Sequence, residues 1–245
     1  MAKKIRLDQL LVDRGVFDSA VDVLPHVLAH EVKVGDEYAT SAAQLVARDA
    51  DIQVKGGMRY VSRGGLKLEG ALEAFGLDVG GLDCIDIGCS TGGFTDCLLQ
   101  AGAASVAAVD VGYGDLAWKL REDPRVKVFE RTNIRTADLA TLGGPFDVAV
   151  ADLSFIGLAS LASVFANLVK SNGYFVGVVK PQFESQHDET DERGVVNDPA
   201  VRKRVVEEVR QALRNAGFSC EDVVESPIKG KRSGNVEYLV LAKRL

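Results

Sequence analysis

From residue 83 onward, short apolar runs alternate with stretches of helical spacing. "DCIDIG", "SVAAVDVG", "VKVFE", "FDVAVADLS" and "YFVGVVKP" read as strands: each is a short run of apolar, often β-branched character bounded by turn residues. The intervening pieces read as helices. "GGFTDCLLQAG" ends at Gly102, "GDLAWKLRED" stops before Pro124, and a short helix is predicted near "ADLATL". Within "LSFIGLASLASVFANLV", Leu158, Leu161, Ala162, Phe165, Leu168 and Val169 share one helical face. "GLKLEGALEAFGL" precedes this series as a helix. "DPAVRKRVVEEVRQALRNAG" follows it, with Pro199 near its start and Gly217 just past its end. "FSCEDVVES" and "VEYLVLAKRL" close the chain, and a tight loop between them predicts an antiparallel last strand. Repeated strand–helix units dictate an α/β fold, with a mostly parallel sheet covered on both faces.

The first 57 residues lack this rhythm. "RLDQLLVDRG" and "DSAVDVLPHVLAH" predict two short helices, the second interrupted by Pro25. "EVKVGDEY", with Gly35 at a turn, and "DADIQVKGG" predict short strands. Residues 1–57 thus read as a small α+β unit, 58–63 as a glycine- and arginine-bearing linker, and 64–245 as the main domain.

Composition narrows the class. A hydrophobic share of 47% with 26% charged residues fits a folded globular chain of 245 residues. A net charge of −6 does not advertise a nucleic-acid binder, so any such role must rest on local patches. Cys84, Cys89, Cys97 and Cys220 form no CxxC pair, and no His/Cys cluster has zinc spacing; no metal site is expected. Reduced thiols and the absence of an apolar run behind "MAKKIRLDQL" predict a cytoplasmic protein. The longest apolar stretch is broken by Ser154, Ser160, Ser163 and Asn167, which suits a core-facing helix rather than a membrane span.

The turn "DIGCSTGGFT", Asp86 to Thr95, carries the first candidate chemistry. It has no Lys to meet a triphosphate, as a Walker loop would. Its glycines also miss the G-x-G-x-x-G spacing that brings a backbone against a pyrophosphate. A phosphate-free ligand fits better. The Asp86 carboxylate can attract an ammonium, Gly88, Gly92 and Gly93 allow close approach, and Asp110, at the end of the next strand, stands where an acid meets ribose hydroxyls. An amino acid joined to a nucleoside is S-adenosylmethionine.

Two charged residues end strongly apolar strands, Asp152 in "VAVADLSF" and Lys180 in "FVGVVKP". Ligands of open parallel sheets bind at such strand ends. Lys67 in "RGGLKLEG" and Glu237 in "GNVEYLVL" are further candidates. Taken singly, each also reads as an ordinary surface charge or structural ion pair.

As a set, Lys67, Asp152, Lys180 and Glu237 resemble the K-D-K-E tetrad of FtsJ-type ribose 2′-O-methyltransferases. "YVSRGGLKL", "DIGCSTGGFTD", "ADLSFI", "VVKPQFE", "GVVND" and "GNVEYL" resemble the TlyA family of ribosomal RNA 2′-O-methyltransferases, some of which carry the label hemolysin. The resemblance spans nearly the whole chain. It implies a Rossmann-like S-adenosylmethionine-dependent methyltransferase fold behind an S4-like RNA-binding segment. It implies that Lys180 activates the 2′-hydroxyl, that Asp152 and Glu237 orient it, and that Lys67 positions the target ribose. It implies cofactor contacts from Asp86, Gly88, Ser90, Gly92, Phe94 and Asp110, with Asn133 near the adenine. The implied partner is ribosomal RNA or a ribosomal subunit, modified at cytidine, with a monomer as the default state. Arg63, Arg131 and Arg135, with a Lys3–Lys4–Arg6 edge, are candidates for phosphate contact. Phe155 is a candidate for stacking on the target base, or for the core.

The S4-like segment departs from its pattern. Ala20 follows Ser19, His30 stands where Gly is common, and the hairpin reads Val34-Gly35 without Asn. Residues 1–56 hold seven basic against nine acidic side chains, a net of −2, which disfavours a strong phosphate clamp. Two other classes stay open: a non-catalytic RNA-binding or assembly factor on the same fold, and a membrane-acting hemolysin.

Overall fold

The computed structural model describes residues 4–14, 16–17, 19–55, 59–230 and 234–245. Lys3 lies outside the described residues. The N-terminal unit runs β1 (Ile5–Arg6), α1 (Leu7–Asp13), α2 (Ala20–Leu28), β2 (Val32–Val34), β3 (Glu37–Tyr38), β4 (Leu45–Val46) and β5 (Ile52–Val54). β1 pairs with β4, and β3-β2-β5 form a second small antiparallel sheet. Leu7, Leu10 and Leu11 of α1 meet Val23 and Val27 of α2 and Val32 of β2 in a core of their own. Ser19 caps α2, its backbone N–H and hydroxyl donating to the Asp22 carboxylate. Pro25 does not interrupt this helix, contrary to the sequence expectation. It forfeits one backbone bond, but Ala29 N–H still donates to its carbonyl at 2.9 Å, and the burial of Val23 and Val27 holds the turns on either side. His30 takes the left-handed conformation, φ +54°, at the place where glycine would be unstrained.

The larger unit continues with α3 (Gly64–Phe75), β6 (Asp83–Ile87), α4 (Gly93–Gln100), β7 (Ser105–Val109), α5 (Trp118–Arg121), β8 (Val126–Phe129), α6 (Leu139–Leu142) and β9 (Phe146–Ala151). A 3-10 turn (Leu158–Leu161) leads into α7 (Ala162–Leu168), then β10 (Val169–Val179), α8 (Pro181–Glu184), a second 3-10 turn (His187–Glu189), α9 (Pro199–Asn215), β11 (Phe218–Glu225) and β12 (Tyr238–Arg244). The seven strands lie in the order β11-β12-β10-β9-β6-β7-β8. β12 is antiparallel to both its neighbours, while β10, β9, β6, β7 and β8 are parallel. Period-two alternation buries both faces. Ile85, Val109, Ala149 and Phe175 point to the layer of α7 and α9, and Cys84, Val106, Val148 and Val176 to that of α3 and α4. The chain turns from one half of the sheet to the other between β6 and β9, which opens a crevice at their carboxyl ends.

Three expectations are corrected. β11 and β12 are not joined tightly: residues 226–237 separate them, and that loop carries Glu237 to the crevice. Val169 does not extend the preceding helix; it opens β10 opposite Phe146 of β9, because the ladder there captures it. In "GDLAWKLRED" only Trp118–Arg121 is helical. Of residues 58–63, Tyr60 is buried in the core beside α3 and α4, and Val61 N–H donates to Asp96 at 2.8 Å.

Candidate active site

The glycine turn leaves β6 at the crevice. Asp86, the penultimate residue of β6, is fully buried. Its Oδ2 accepts from the backbone N–H of Thr95 at 2.9 Å and from the Thr95 hydroxyl at 2.6 Å, while its Oδ1 has no partner. Burial raises its carboxyl to about 7, with the Thr95 bonds opposing and Asp152 and Asp110 adding to the rise. Gly88 sits at φ +82°, and a Cβ there would lie 2.9 Å from Leu153 and 3.3 Å from the Asp152 carbonyl. The turn therefore lies directly against the end of β9. Asp110, at the end of β7, accepts from Ser90 N–H at 2.8 Å through one oxygen and from Gly112 N–H at 2.7 Å through the other. This acid fastens two loops side by side.

A cavity of about 230 Å³ opens at this point. Asp86, Gly88, Ser90 and Phe94 line it, together with Lys67, Asp152 and Lys180. Gly92 does not: a side chain there would collide with Leu116 and Leu120, so its glycine is needed for packing against the α5 segment. Asn133 follows Thr132, whose N–H donates to the Asp110 carbonyl at 2.9 Å, and neither Asp110 nor Asn133 lines the cavity itself. The Asn133 side-chain oxygen accepts from Arg135 N–H at 3.0 Å. The unpartnered Asp86 oxygen and the close-approach Gly88 are the features that an ammonium-bearing amino acid, carried on a nucleoside, would fill.

The four charges singled out in the sequence converge from four elements: α3, the ends of β9 and β10, and the loop before β12. Lys67 Nζ lies 3.1 Å from Asp152 Oδ2 and 2.7 Å from Glu237 Oε2. Lys180 Nζ lies 2.7 Å from Asp152 Oδ1 and donates to Ser154 Oγ at 3.3 Å. Burial works to lower the Lys67 ammonium and to raise the Asp152 carboxyl. In each case the opposite charges win: Asp152 and Glu237 hold Lys67 above the ordinary lysine range, and Lys67 and Lys180 hold Asp152 below the usual carboxylate range.

The candidate RNA contacts are dispersed. Arg63 lines the cavity and donates to the Lys229 carbonyl at 3.4 Å. Arg131, at φ +52°, lies over the Tyr113 ring at 4.3 Å. Arg135 donates to Ser160 Oγ at 2.9 Å. Lys4 is exposed, whereas Arg6 is engaged by Asp8 at 2.6 Å, which offsets its charge. Phe155 does not belong to the core: it is 85% exposed, at φ +67°, with its ring 5.5 Å from Phe183. Sequence reasoning missed Ser154 and Asn235. Asn235 is buried; its side chain accepts from Val196 N–H at 3.0 Å and donates to the Gly194 carbonyl at 2.9 Å. It thus joins "GVVND" to "GNVEYL", two residues before Glu237. Both segments stood out as motifs, but their contact is 39 residues long-range and leaves no local pattern.

Among the described residues no group of His, Cys, Asp and Glu is placed to hold a metal ion, and no helix is long and apolar enough to cross a membrane.

A crevice at the sheet's turning point, with a bare buried carboxylate for an ammonium, belongs to the Rossmann-like methyltransferases. A solved S-adenosylmethionine-dependent methyltransferase from Mesorhizobium loti shares the fold, with a TM-score of 0.55 at 21% identity over 71% of this chain and 96% of that one. Residues 60–244 match the model of the FtsJ-like methyltransferases, and the chain belongs to that family of enzymes. It is 43% identical, over 98% of its length and 90% of the relative's, to the 16S/23S rRNA (cytidine-2′-O)-methyltransferase TlyA of Mycobacterium tuberculosis. A solved protein from Streptococcus thermophilus, named as a hemolysin, superposes with a TM-score of 0.83 at 37% identity, covering 100% of this chain and 90% of that one. Family membership implies S-adenosylmethionine as the methyl source.

Proposed function

We propose that the protein methylates the ribose 2′-hydroxyl of cytidine in ribosomal RNA, acting in the cytoplasm as a monomer. The observation that carries this reading is Asp152, whose two oxygens hold Lys67 and Lys180 at 3.1 and 2.7 Å in the same cavity as the glycine turn. The substrate rests on the name carried by the mycobacterial relative.

S-adenosylmethionine supplies a methyl group made electrophilic by its sulfonium. Asp86 Oδ1 would receive the ammonium, the Gly88–Ser90 backbone would follow the amino-acid chain, and Asp110 and Asn133 would hold the nucleoside. A ribose hydroxyl is a poor nucleophile until its proton is taken. The oxygen bonds the methyl carbon as that carbon's bond to sulfur breaks, the sulfur leaving as a neutral thioether, while Lys180 Nζ, as an uncharged amine, takes the hydroxyl proton. Asp152 aims Lys180 at the hydroxyl and balances the ammonium that results. Lys67, gripped between Asp152 and Glu237, fixes Asp152 in turn and contacts the acceptor ribose. Much of the acceleration comes from holding the reacting atoms in line, which is worth several kcal/mol when the elements are rigid. Phe155, exposed beside Phe183, offers a face on which the target base stacks; such stacking contributes about 1–3 kcal/mol. The N-terminal unit acts as an S4-like RNA contact weakened by its acidic balance.

The test is methyl transfer from S-adenosylmethionine to unmethylated ribosomal subunits and to their naked RNAs, read as 2′-O-methylcytidine by mass spectrometry. Product that vanishes with Lys180→Ala is the expected result. No product on any substrate, with cofactor binding intact, would leave the fold serving a non-catalytic role.

A further inference from the structure

The Asp152–Lys180 pair is the innermost of several contacts between two arms of chain. One arm, residues 152–158, leaves β9; the other, residues 180–184, leaves β10 through α8. Asp152 Oδ1 lies 2.7 Å from Lys180 Nζ, Ser154 Oγ accepts from the same amine at 3.3 Å, and the Phe155 ring lies 5.5 Å from that of Phe183. Outermost, Leu158 N–H donates to Glu184 Oε1 at 2.5 Å, and Ala159 N–H donates to the same carboxylate. The contacts run in chain order along both arms, like the teeth of a zip. Glu184 does not line the cavity, and no step of the reaction uses it. Burial raises its carboxyl, the Leu158 and Ala159 N–H groups oppose, and Glu208 adds to the rise. Its partners are backbone donors that open the 3-10 turn, which have no acceptor within the turn itself.

Both arms are stiff where they meet. Pro181 opens α8, Phe183 N–H donates to the Lys180 carbonyl at 2.9 Å and Ser185 N–H to the Pro181 carbonyl at 2.9 Å, so Glu184 rides one turn from Lys180. On the other arm Gly157 has φ −76° and ψ 141°, which any residue adopts. Its lack of a side chain matters for contact: a Cβ there would run into the Glu184 carboxylate and lie 3.0 Å from the Phe183 carbonyl. Resting on the reading above, we infer that Glu184 is a positioning residue for the acceptor side. Its carboxylate clamps the 152–158 arm to the segment that carries Lys180, and so sets Ser154 and Phe155 at their distances from the reacting amine. An uncharged amine has two N–H groups and one lone pair. With Asp152 and Ser154 each accepting one N–H, the lone pair is left to the hydroxyl proton. Without the clamp, Ser154 and Phe155 ride on a loop released at its far end, and that aim is lost. The glycine turn is fastened by Thr95 and Asp110 instead, so cofactor affinity does not depend on Glu184.

The test is methyl transfer by the full chain to unmethylated ribosomal subunits at saturating cofactor, at a temperature below the Tm of every variant. Glu184→Ala should lower kcat about ten- to hundredfold, the scale of loss when reacting groups are misplaced by about an ångström, with cofactor affinity unchanged. Gly157→Ala should give the same loss with the carboxylate still present. It removes no hydrogen-bonding group, so it carries the test even if Glu184→Ala fails to fold. The double variant should be no slower than the slower single one, because both break one contact. Glu184→Gln keeps an acceptor oxygen and should restore most of the rate. Leu142→Ala is the stability control: Leu142 is buried in α6, ahead of β9 and at the end of that strand remote from Asp152, so it should lower Tm and leave kcat at the parent value. Parent kcat in Gly157→Ala, or a Leu142→Ala kcat that falls as far as that of Glu184→Ala, overturns the inference and leaves the methyltransferase reading intact. A wild-type enzyme that methylates no RNA overturns both.

Discussion

Thr95 donates twice to one oxygen of Asp86, through its backbone N–H and its hydroxyl, and leaves the other oxygen of that buried carboxylate bare. Two donors fix the carboxylate's direction, so the bare Oδ1 is aimed before any ligand arrives. Its raised value of about 7 makes the arrangement pH-sensitive in the neutral range. Below that value the carboxyl is protonated and no longer attracts an ammonium. Cofactor affinity should therefore be level above pH 8 and fall as pH drops, approaching tenfold per unit below about 7. Titration calorimetry between pH 5.5 and 8.5 checks this; Asp86→Asn should bind weakly with that pH dependence removed. Folding carries the opposite sign. From the ordinary 3.8 up to about 7 the folded state holds a proton that the unfolded state has released, so this group makes the ligand-free protein less stable as pH rises through that window. Cofactor binding offsets the loss.

Lys67 and Glu237 make a second test possible. Glu237 is 3% exposed and its carboxylate rests on Lys67 at 2.7 Å. Lys67→Met strands that charge, and removing one partner of a buried pair costs about 3–5 kcal/mol. Lys67→Met combined with Glu237→Leu should recover most of the loss, because apolar side chains of similar volume avoid the desolvation penalty of both ions. Methyl transfer should be lost in both. Chemical denaturation followed by circular dichroism gives the stabilities.

Asp152 and Lys180 were legible because each ends an otherwise apolar strand, where a charge has no local reason to be, and strand ends meet at the crevice. Asp86 and Gly88 were legible for the same reason. What escaped was long-range. Nothing near Arg14 in the chain says that it lines the cavity beside Arg63. Val169 was misplaced because a single apolar residue fits helical and strand periodicity equally well; the register against Phe146 decides it. Pro25 was misjudged because local propensity is a weak prior against the burial of Val23 and Val27.

Asn235 supports the site without touching it. Its bonds to Val196 and Gly194 tie the loop before β12 to the segment ahead of α9, and Gly230 N–H donates to its carbonyl at 2.9 Å. Asn235→Ala leaves the buried Val196 N–H unsatisfied, at a cost of about 1–3 kcal/mol. With the loop loosened, Glu237 no longer fixes Lys67. The expected outcome is a kcat lowered about tenfold or more with cofactor affinity unchanged, since the glycine turn is held by separate contacts. Steady-state kinetics alongside calorimetry separates the two.

Phe155 combines high exposure with a left-handed backbone, a pairing that folding alone gives no reason to keep. A bulky residue at such φ costs about 1–2 kcal/mol relative to glycine, and an exposed ring contributes little burial in return. Phe155→Gly should therefore stabilise the protein, raising Tm by about 2 °C in a chain of this size, while kcat/KM on RNA falls as the stacking face is lost. Phe155→Ala keeps the strained backbone and removes the ring, so it should match the kinetic loss without the gain in Tm. Phe155→Tyr should retain both properties of the parent. Thermal denaturation and methyl-transfer kinetics on the three variants decide the matter. If Phe155→Ala instead keeps the parent kcat/KM, the exposed ring has no part in holding the acceptor base.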